Sequence, residues 1–233
     1  MSVLQPESVK TDEAFDELKK LDAEAAVVAS YGQIIPQRVL DLYPKNMINV
    51  HASLLPDYRG ASPINAAIRD GQAKTGVTIM LMDAKMDHGP VLKLAELDIK
   101  PDDTTASLTP RLADFGATVL PDVLTDYLEG KIKPVEQDHD KATFVKILNR
   151  EDGRLDPAKP AVELERLVRA MDPWPGTFID HEGKRLKVLK AQVGEAEGYP
   201  ILETTDGKLS LLIVQPEGKK PMDGADYKRG HGF

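Results

Sequence analysis

The chain has 233 residues, 41% of them hydrophobic and 29% charged, enough for one larger or two smaller domains with a true core. It lacks cysteine, which excludes disulfides, thiolate zinc sites and cysteine nucleophiles and makes a reducing compartment natural. A net charge of −8 argues against a protein that coats nucleic acid non-specifically. Thirteen basic residues face 15 acidic ones from Glu151 onward, so most of the negative excess lies in the first 150 residues. The opening MSVLQPESVKTDEAF has no basic and apolar leader, and no run approaches the roughly 20 apolar residues of a membrane span. The expectation is a cytoplasmic protein with no membrane partner.

Thr11-Asp12-Glu13 predicts a helix start, and AFDELKKL has the spacing of a short amphipathic helix. AAVVASYG, from Ala25 to Gly32, reads as a buried strand, and MINV, from Met47 to Val50, as a second. Ser62-Pro63 predicts the next helix entry, with Ser62 as N-cap and Gly71 as the stop. GVTIMLMD, from Gly76 to Asp83, and VLKLAELDI are third and fourth strands. Thr105 to Gly130 predicts one helix or two, with Pro110 and Pro121 as starts or kinks. Strands alternating with helices suggest an α/β fold with a parallel, Rossmann-like sheet, whose ligands gather beyond the carboxyl ends of its strands.

After Lys133 the periodicity fades into PVEQDHDKATF, read as a linker. PAVELERLVRAM then carries Leu164, Leu167, Val168 and Met171 on one helical stripe. Beyond DPWPG the pattern turns to short strands: TFID and KRLKVLKAQV flank a His-Glu-Gly turn, and ILETT and KLSLLIV flank Asp206-Gly207, a hairpin signal. A small β-barrel or sandwich is the expectation for this end. The predicted division is residues 1–134, a linker over 135–152, and a C-terminal domain over 153–233.

The chemistry concentrates in INVHASLLPDYRG. Asn49 and His51, spaced i, i+2 at a strand end, project to one face, and Asp87 in DAKMDHGP is a third polar candidate that a neighbouring parallel strand would bring beside His51. Ser53 lacks a nucleophile elbow, which weakens a serine hydrolase. His51, Asp87 and His88 have metal-binding atoms, but no H-x-x-x-H or H-E-x-x-H pairing supports a metal site, and none is assigned. Satisfied loop residues remain a bland alternative, weakened by the strand terminus and by Gly60 and Gly89. Direct group transfer fits the set: when an amine attacks a carbonyl, Asn49 donates to the oxyanion, protonated His51 adds a charge-assisted bond, and Asp87 fixes the imidazole and receives a proton.

VVASYGQIIP, INVHASLLPDYRGASPINAAI, TGVTIMLMDAKMDHGPVL and MDPWPGTF together resemble the methionyl-tRNA formyltransferase family. The resemblance spans nearly the whole chain. It implies 10-formyltetrahydrofolate as formyl donor, without a metal, and initiator methionyl-tRNA as acceptor. It places the family's catalytic Asn, His and Asp on Asn49, His51 and Asp87, and its folate-contact segment on Ser53, Leu54, Leu55 and Pro56. It also implies a Rossmann-like formyltransferase catalytic domain followed by an OB-like barrel that holds tRNA, which makes Lys184, Arg185, Lys187, Lys190, Lys219 and Lys220 candidate phosphate contacts. Arg59 is read either as an exposed loop charge or as a contact to the acceptor end of the tRNA. The family's opening strand-helix units with their Gly-Thr-Pro loop have no counterpart here, so a shortened catalytic domain with an uncovered sheet edge, open to self-association, is expected. A sugar-amine formyltransferase, a folate hydrolase, or an inactive fragment that only binds tRNA or folate are the rivals.

Trp174 is expected to pack at a domain hinge, and Met80, Met82 and Met86 to fill core and pocket wall. His139, His181 and His231 receive no role.

Overall fold

The computed structural model describes residues 3–231 and 233. Met1 and Ser2, part of the stretch read as lacking a leader, lie outside the described residues. In chain order the elements are α1 (Asp12–Lys19), β1 (Ala26–Val28), α2 (Gln37–Leu40), β2 (Met47–His51), β3 (Arg59–Gly60), α3 (Pro63–Arg69), β4 (Lys74–Leu81), β5 (Val91–Asp98), α4 (Thr105–Leu128), β6 (Phe144–Val145), α5 (Ala161–Ala170), β7 (Thr177–His181), β8 (Lys184–Val193), β9 (Ile201–Glu203), β10 (Lys208–Pro216), β11 (Met222–Asp223) and α6 (Gly224–His231). Two compact units result, and the chain enters each more than once: Met1–Ala61, Gly76–Leu97 and Leu112–Val145 form one, while Ser62–Thr75, Asp98–Arg111 and Lys146–Phe233 form the other.

The first unit is built on a four-stranded sheet of order β1-β2-β4-β5. The wholly parallel sheet expected from the alternating pattern is corrected here. β1 and β2 run parallel, but β4 is antiparallel to β2, with Asn49 opposite Met80 and His51 opposite Thr78. Hydrophobic patterning specifies burial without specifying strand direction, and β4, buried along nearly its whole length, fits either sense. One cluster gathers Ile48, Ile79 and Leu81 with Val119, Val123 and Tyr127 of α4; another gathers Val39, Leu40, Tyr43 and Met47 with Phe15 and Leu18 of α1. α1 starts where its sequence says: the Thr11 hydroxyl accepts from the Ala14 N–H at 3.2 Å, with acidic residues in the first turn and Lys19 in the last, matching the helix dipole. Pro110 and Pro121 neither start nor divide α4, which runs unbroken for 24 residues. Each proline forfeits one backbone bond, and buried Leu108, Leu112 and Val123 hold the helix through the loss.

In the second unit, α5 lays Leu164, Leu167, Val168 and Met171 on a sheet of order β11-β10-β8-β7, with β9 pairing β10. Both expected hairpins form, β7 with β8 and β9 with β10. Asp206, in the second turn, also accepts from the Ala161 N–H at 2.8 Å and so caps α5. The OB-like barrel is overturned: among the described residues no sheet closes on itself. Closure requires the end strands to pair. Here the outer edge of β7 is instead taken by the chain at Arg154 and Leu155, whose N–H donates to the Phe178 carbonyl at 2.9 Å, and the apolar face is buried under α5. Trp174 is 54% exposed, so it is not the packing residue expected.

Asp103, 4% exposed, organises the turn before α4. Its carboxylate accepts from the Lys100 N–H (2.7 Å), the Ser107 hydroxyl (2.8 Å) and the Arg111 guanidinium. Burial pushes this carboxyl up, but the three donors outweigh it and hold it below its usual value. A depressed folded-state value stabilises the fold fully above the ordinary value of 3.8, and that contribution is lost as pH falls through the depressed one. Asp103→Ala is expected to cost roughly 3 kcal/mol at neutral pH, toward the lower end for a broken buried pair because Arg111 reaches solvent. Urea titrations at neutral and strongly acidic pH check this; a deficit of the same size at both would refute the ionic origin.

Candidate active site

β2 holds Asn49 and His51 between two neighbours, with Val28 beside Asn49 on one side and Met80 on the other, so the pleat carries both side chains to one face. His51 is 7% exposed. Its Nε2 lies 3.0 Å from the Tyr58 carbonyl, which only accepts, so that nitrogen carries a proton. Nδ1 is then the nitrogen left to take or release a second proton, and it lies 3.7 Å from Oδ1 of Asp87.

Asp87 sits in the loop between β4 and β5 with φ +47°, a left-handed conformation that aspartate tolerates. Its Oδ2 accepts from the Gly60 N–H at 2.8 Å. Gly60 has φ +113°, and a Cβ there would stand 2.2 Å from the Val145 carbonyl oxygen; one on Gly89 would stand 2.1 Å from that of Leu81. Side chains at either position would force the loop apart.

The folate-contact segment expected at Ser53–Pro56 is held from below. The Thr78 hydroxyl donates to the Ser53 carbonyl (2.6 Å) and accepts from the Leu55 N–H (3.0 Å). Ser53 is fully buried and its hydroxyl donates to the Asp57 carbonyl at 2.6 Å; Leu55 also points inward, leaving Leu54 and Pro56 partly exposed. Met80 is buried in this unit as expected, whereas Met86, beside Asp87, is 60% exposed.

Arg59 is not an exposed loop charge: it is 3% exposed. Its Nε and Nη2 donate to Oε1 of Gln137 (3.2 and 2.7 Å), and Nη2 also donates to Nδ1 of His139 (2.9 Å). His139 stacks on His88 with centroids 3.9 Å apart, and His88 Nδ1 lies 2.6 Å from Oδ2 of Asp83. Gln137 Nε2 donates to the carbonyls of Asp87 (2.9 Å) and Gly89 (2.7 Å). β6 pairs parallel with β3, and the Val91–Val135 bridge ties the same stretch to β5, so residues 135–145 are built into this unit. Gln137, Thr78 and His139 were not foreseen. A single glutamine in a polar passage has no periodicity to mark it.

Among the described residues no group of three His, Cys, Asp or Glu side chains is placed to hold a metal ion, and no helix is long and apolar enough to cross a membrane. In the second unit, Lys184, Lys187 and Lys190 of β8 are exposed, as are Lys219 and Lys220 before β11. Arg185, also exposed, pairs with Glu151 and lies 4.2 Å over the Phe178 ring.

Residues 2–124 match the family described as formyl transferase, and residues 147–232 match its C-terminal domain. The methionyl-tRNA formyltransferase of Roseiflexus sp. (strain RS-1) is 45% identical over 98% of this chain and 74% of its own length; that of Myxococcus xanthus (strain DK1622) is 44% identical over 98% and 77%. Among solved structures, HypX from Aquifex aeolicus in complex with tetrahydrofolic acid is similar with a TM-score of 0.67 at 20% identity, covering 92% of this chain, which spans about two fifths (39%) of HypX. WlaRD, a sugar 3N-formyl transferase, is similar with a TM-score of 0.68 at 18% identity over 87% of this chain and 77% of its own. At those identities the two structures speak for the fold alone.

Proposed function

The chain belongs to the formyl transferase family, and on that premise we propose that it moves a formyl group from 10-formyltetrahydrofolate to the amino group of initiator methionyl-tRNA. Formyl transfer is the chemistry of the family. Identities of 40 to 45% with enzymes named methionyl-tRNA formyltransferase, over nearly the whole chain, support the acceptor. Membership of the family supports a formylated folate as donor, and HypX, of similar fold, holds tetrahydrofolic acid. The observation that carries the reading is the approach of His51 Nδ1 to Asp87 at 3.7 Å, on the strand that also bears Asn49.

In this reading the amine nitrogen bonds to the formyl carbon, giving a tetrahedral intermediate with an oxyanion and a cationic nitrogen. Asn49 donates to the oxyanion, and protonated His51 lends it positive charge. Asp87 takes the proton from the nitrogen, directly or through water, and the bond from carbon to the folate nitrogen breaks as the same proton is passed on from Asp87 to that nitrogen. Leu54 and Pro56, the partly exposed members of Ser53–Pro56, are the side chains left to face the folate.

We assign catalysis to residues 1–134 together with 135–145, which the β3–β6 pairing and the Val91–Val135 bridge build into the same unit, and tRNA binding to 153–233. The amines of Lys184, Lys187, Lys190, Lys219 and Lys220 reach phosphates; Arg185 does so only by leaving Glu151. A tRNA acceptor implies action in the cytoplasm. The outer edge of β1, where Val27 is 44% exposed, is the surface through which copies would associate.

Incubation with 10-formyltetrahydrofolate and charged initiator tRNA is expected to yield formyl-methionine, with a nucleotide-linked sugar amine left unmodified. Formylation of the sugar amine instead would overturn the acceptor, and folate binding without any product would favour a binding-only protein.

A further inference from the structure

We propose that Gln137 is a positioning residue for formyl transfer, acting through the backbone of the Asp87 loop; the inference rests on the roles given above to His51 and Asp87. A carboxamide has two donor hydrogens and an oxygen with two lone pairs. All four are used here: Oε1 accepts twice from Arg59, and Nε2 donates to the carbonyls of Asp87 and Gly89. Those carbonyls lie on either side of His88, so one side chain holds both ends of the peptide that aims Asp87.

The hold closes into a ring. Asp87 Oδ2 accepts from the Gly60 N–H, Gly60 follows Arg59 in the chain, Arg59 donates to Gln137, and Gln137 returns to the Asp87 carbonyl. Arg59 and Gln137 are 3% and 8% exposed, so water does not readily replace either arm. His51 stands outside the ring, anchored separately on β2 and on the Tyr58 carbonyl. The 3.7 Å between His51 and Asp87 is therefore set by how firmly the ring fixes the loop.

Two variants separate the arms. Gln137→Ala removes both. Gln137→Glu keeps an acceptor for Arg59, as an ion pair, but turns a carboxylate toward two carbonyls and loses both donations to the loop. Both are expected to lower kcat about 10- to 100-fold, as misplacement of a reacting group by about an ångström does, with KM for the donor within about twofold. Hydrogen exchange at the Gly60 amide, bonded to Asp87, should quicken in both. Should Gln137→Ala fail to fold, Gln137→Glu carries the test. The proposal is overturned by kcat within about twofold of wild type in the folded variants, by a loss confined to donor affinity, or by unchanged Gly60 exchange. If the unaltered protein does not formylate methionyl-tRNA, the acceptor reading fails, while Gly60 exchange still judges Gln137.

Discussion

Replacing Asp87 by alanine is expected to lower kcat for formyl transfer about 100- to 10,000-fold, the range typical of removing a general base. Donor affinity is expected to change little, because in the proposed mechanism the carboxylate engages the proton of the attacking amine rather than the folate. On the proposed mechanism the cationic nitrogen of the intermediate would then have no base beside it, and His51 Nδ1 would lose the carboxylate now 3.7 Å away. Asp87→Asn is the sharper variant: its amide oxygen still accepts from the Gly60 N–H, so the loop keeps that anchor, yet it cannot accept the proton. Single-turnover formylation at saturating donor, with donor affinity measured by equilibrium binding, reads the two effects separately. If either variant abolished folate binding while the rate per bound complex stayed at the wild-type value, Asp87 would be a binding group.

Asn49→Ala is expected to cost about 3 to 4 kcal/mol of barrier, roughly 100- to 1,000-fold in kcat, as loss of one oxyanion donor does. The strand does not depend on this side chain. The backbone of β2 is paired to Val28 and Met80 on either side, and the fully buried Ile48 anchors it. Thermal stability should therefore move little while turnover falls. Asn49→Asp, close in shape but without the donor, should be no better than alanine. A drop in kcat smaller than about fivefold in Asn49→Ala, at unchanged KM, would remove Asn49 from the site.

Much of this geometry is legible in the chain. Asn49 and His51 fall two residues apart in a run of strand formers, so a period of two puts them on one face whatever surrounds them. Helix starts at Thr11, Pro63 and Pro160, the α5 stripe and the turns at Glu182-Gly183 and Asp206-Gly207 are likewise local, each depending on residues within one or two turns. Little in the sequence marks α6, since GADYKRGH carries two glycines and little periodicity; in the fold the Asp223 carboxylate accepts from the Ala225 N–H at 2.8 Å at its start.

What the amino-acid order decides alone is which side chains share a face and where segments begin and end, since backbone sterics and side-chain period act over a few residues. Tertiary structure alone decided that β4 runs against β2, that the C-terminal sheet stays open under α5, and that Arg59 is buried on Gln137, 78 positions further along. Those outcomes depend on which distant backbone groups and buried charges find partners. A hydrogen bond across such a separation imposes no pattern on the residues beside it.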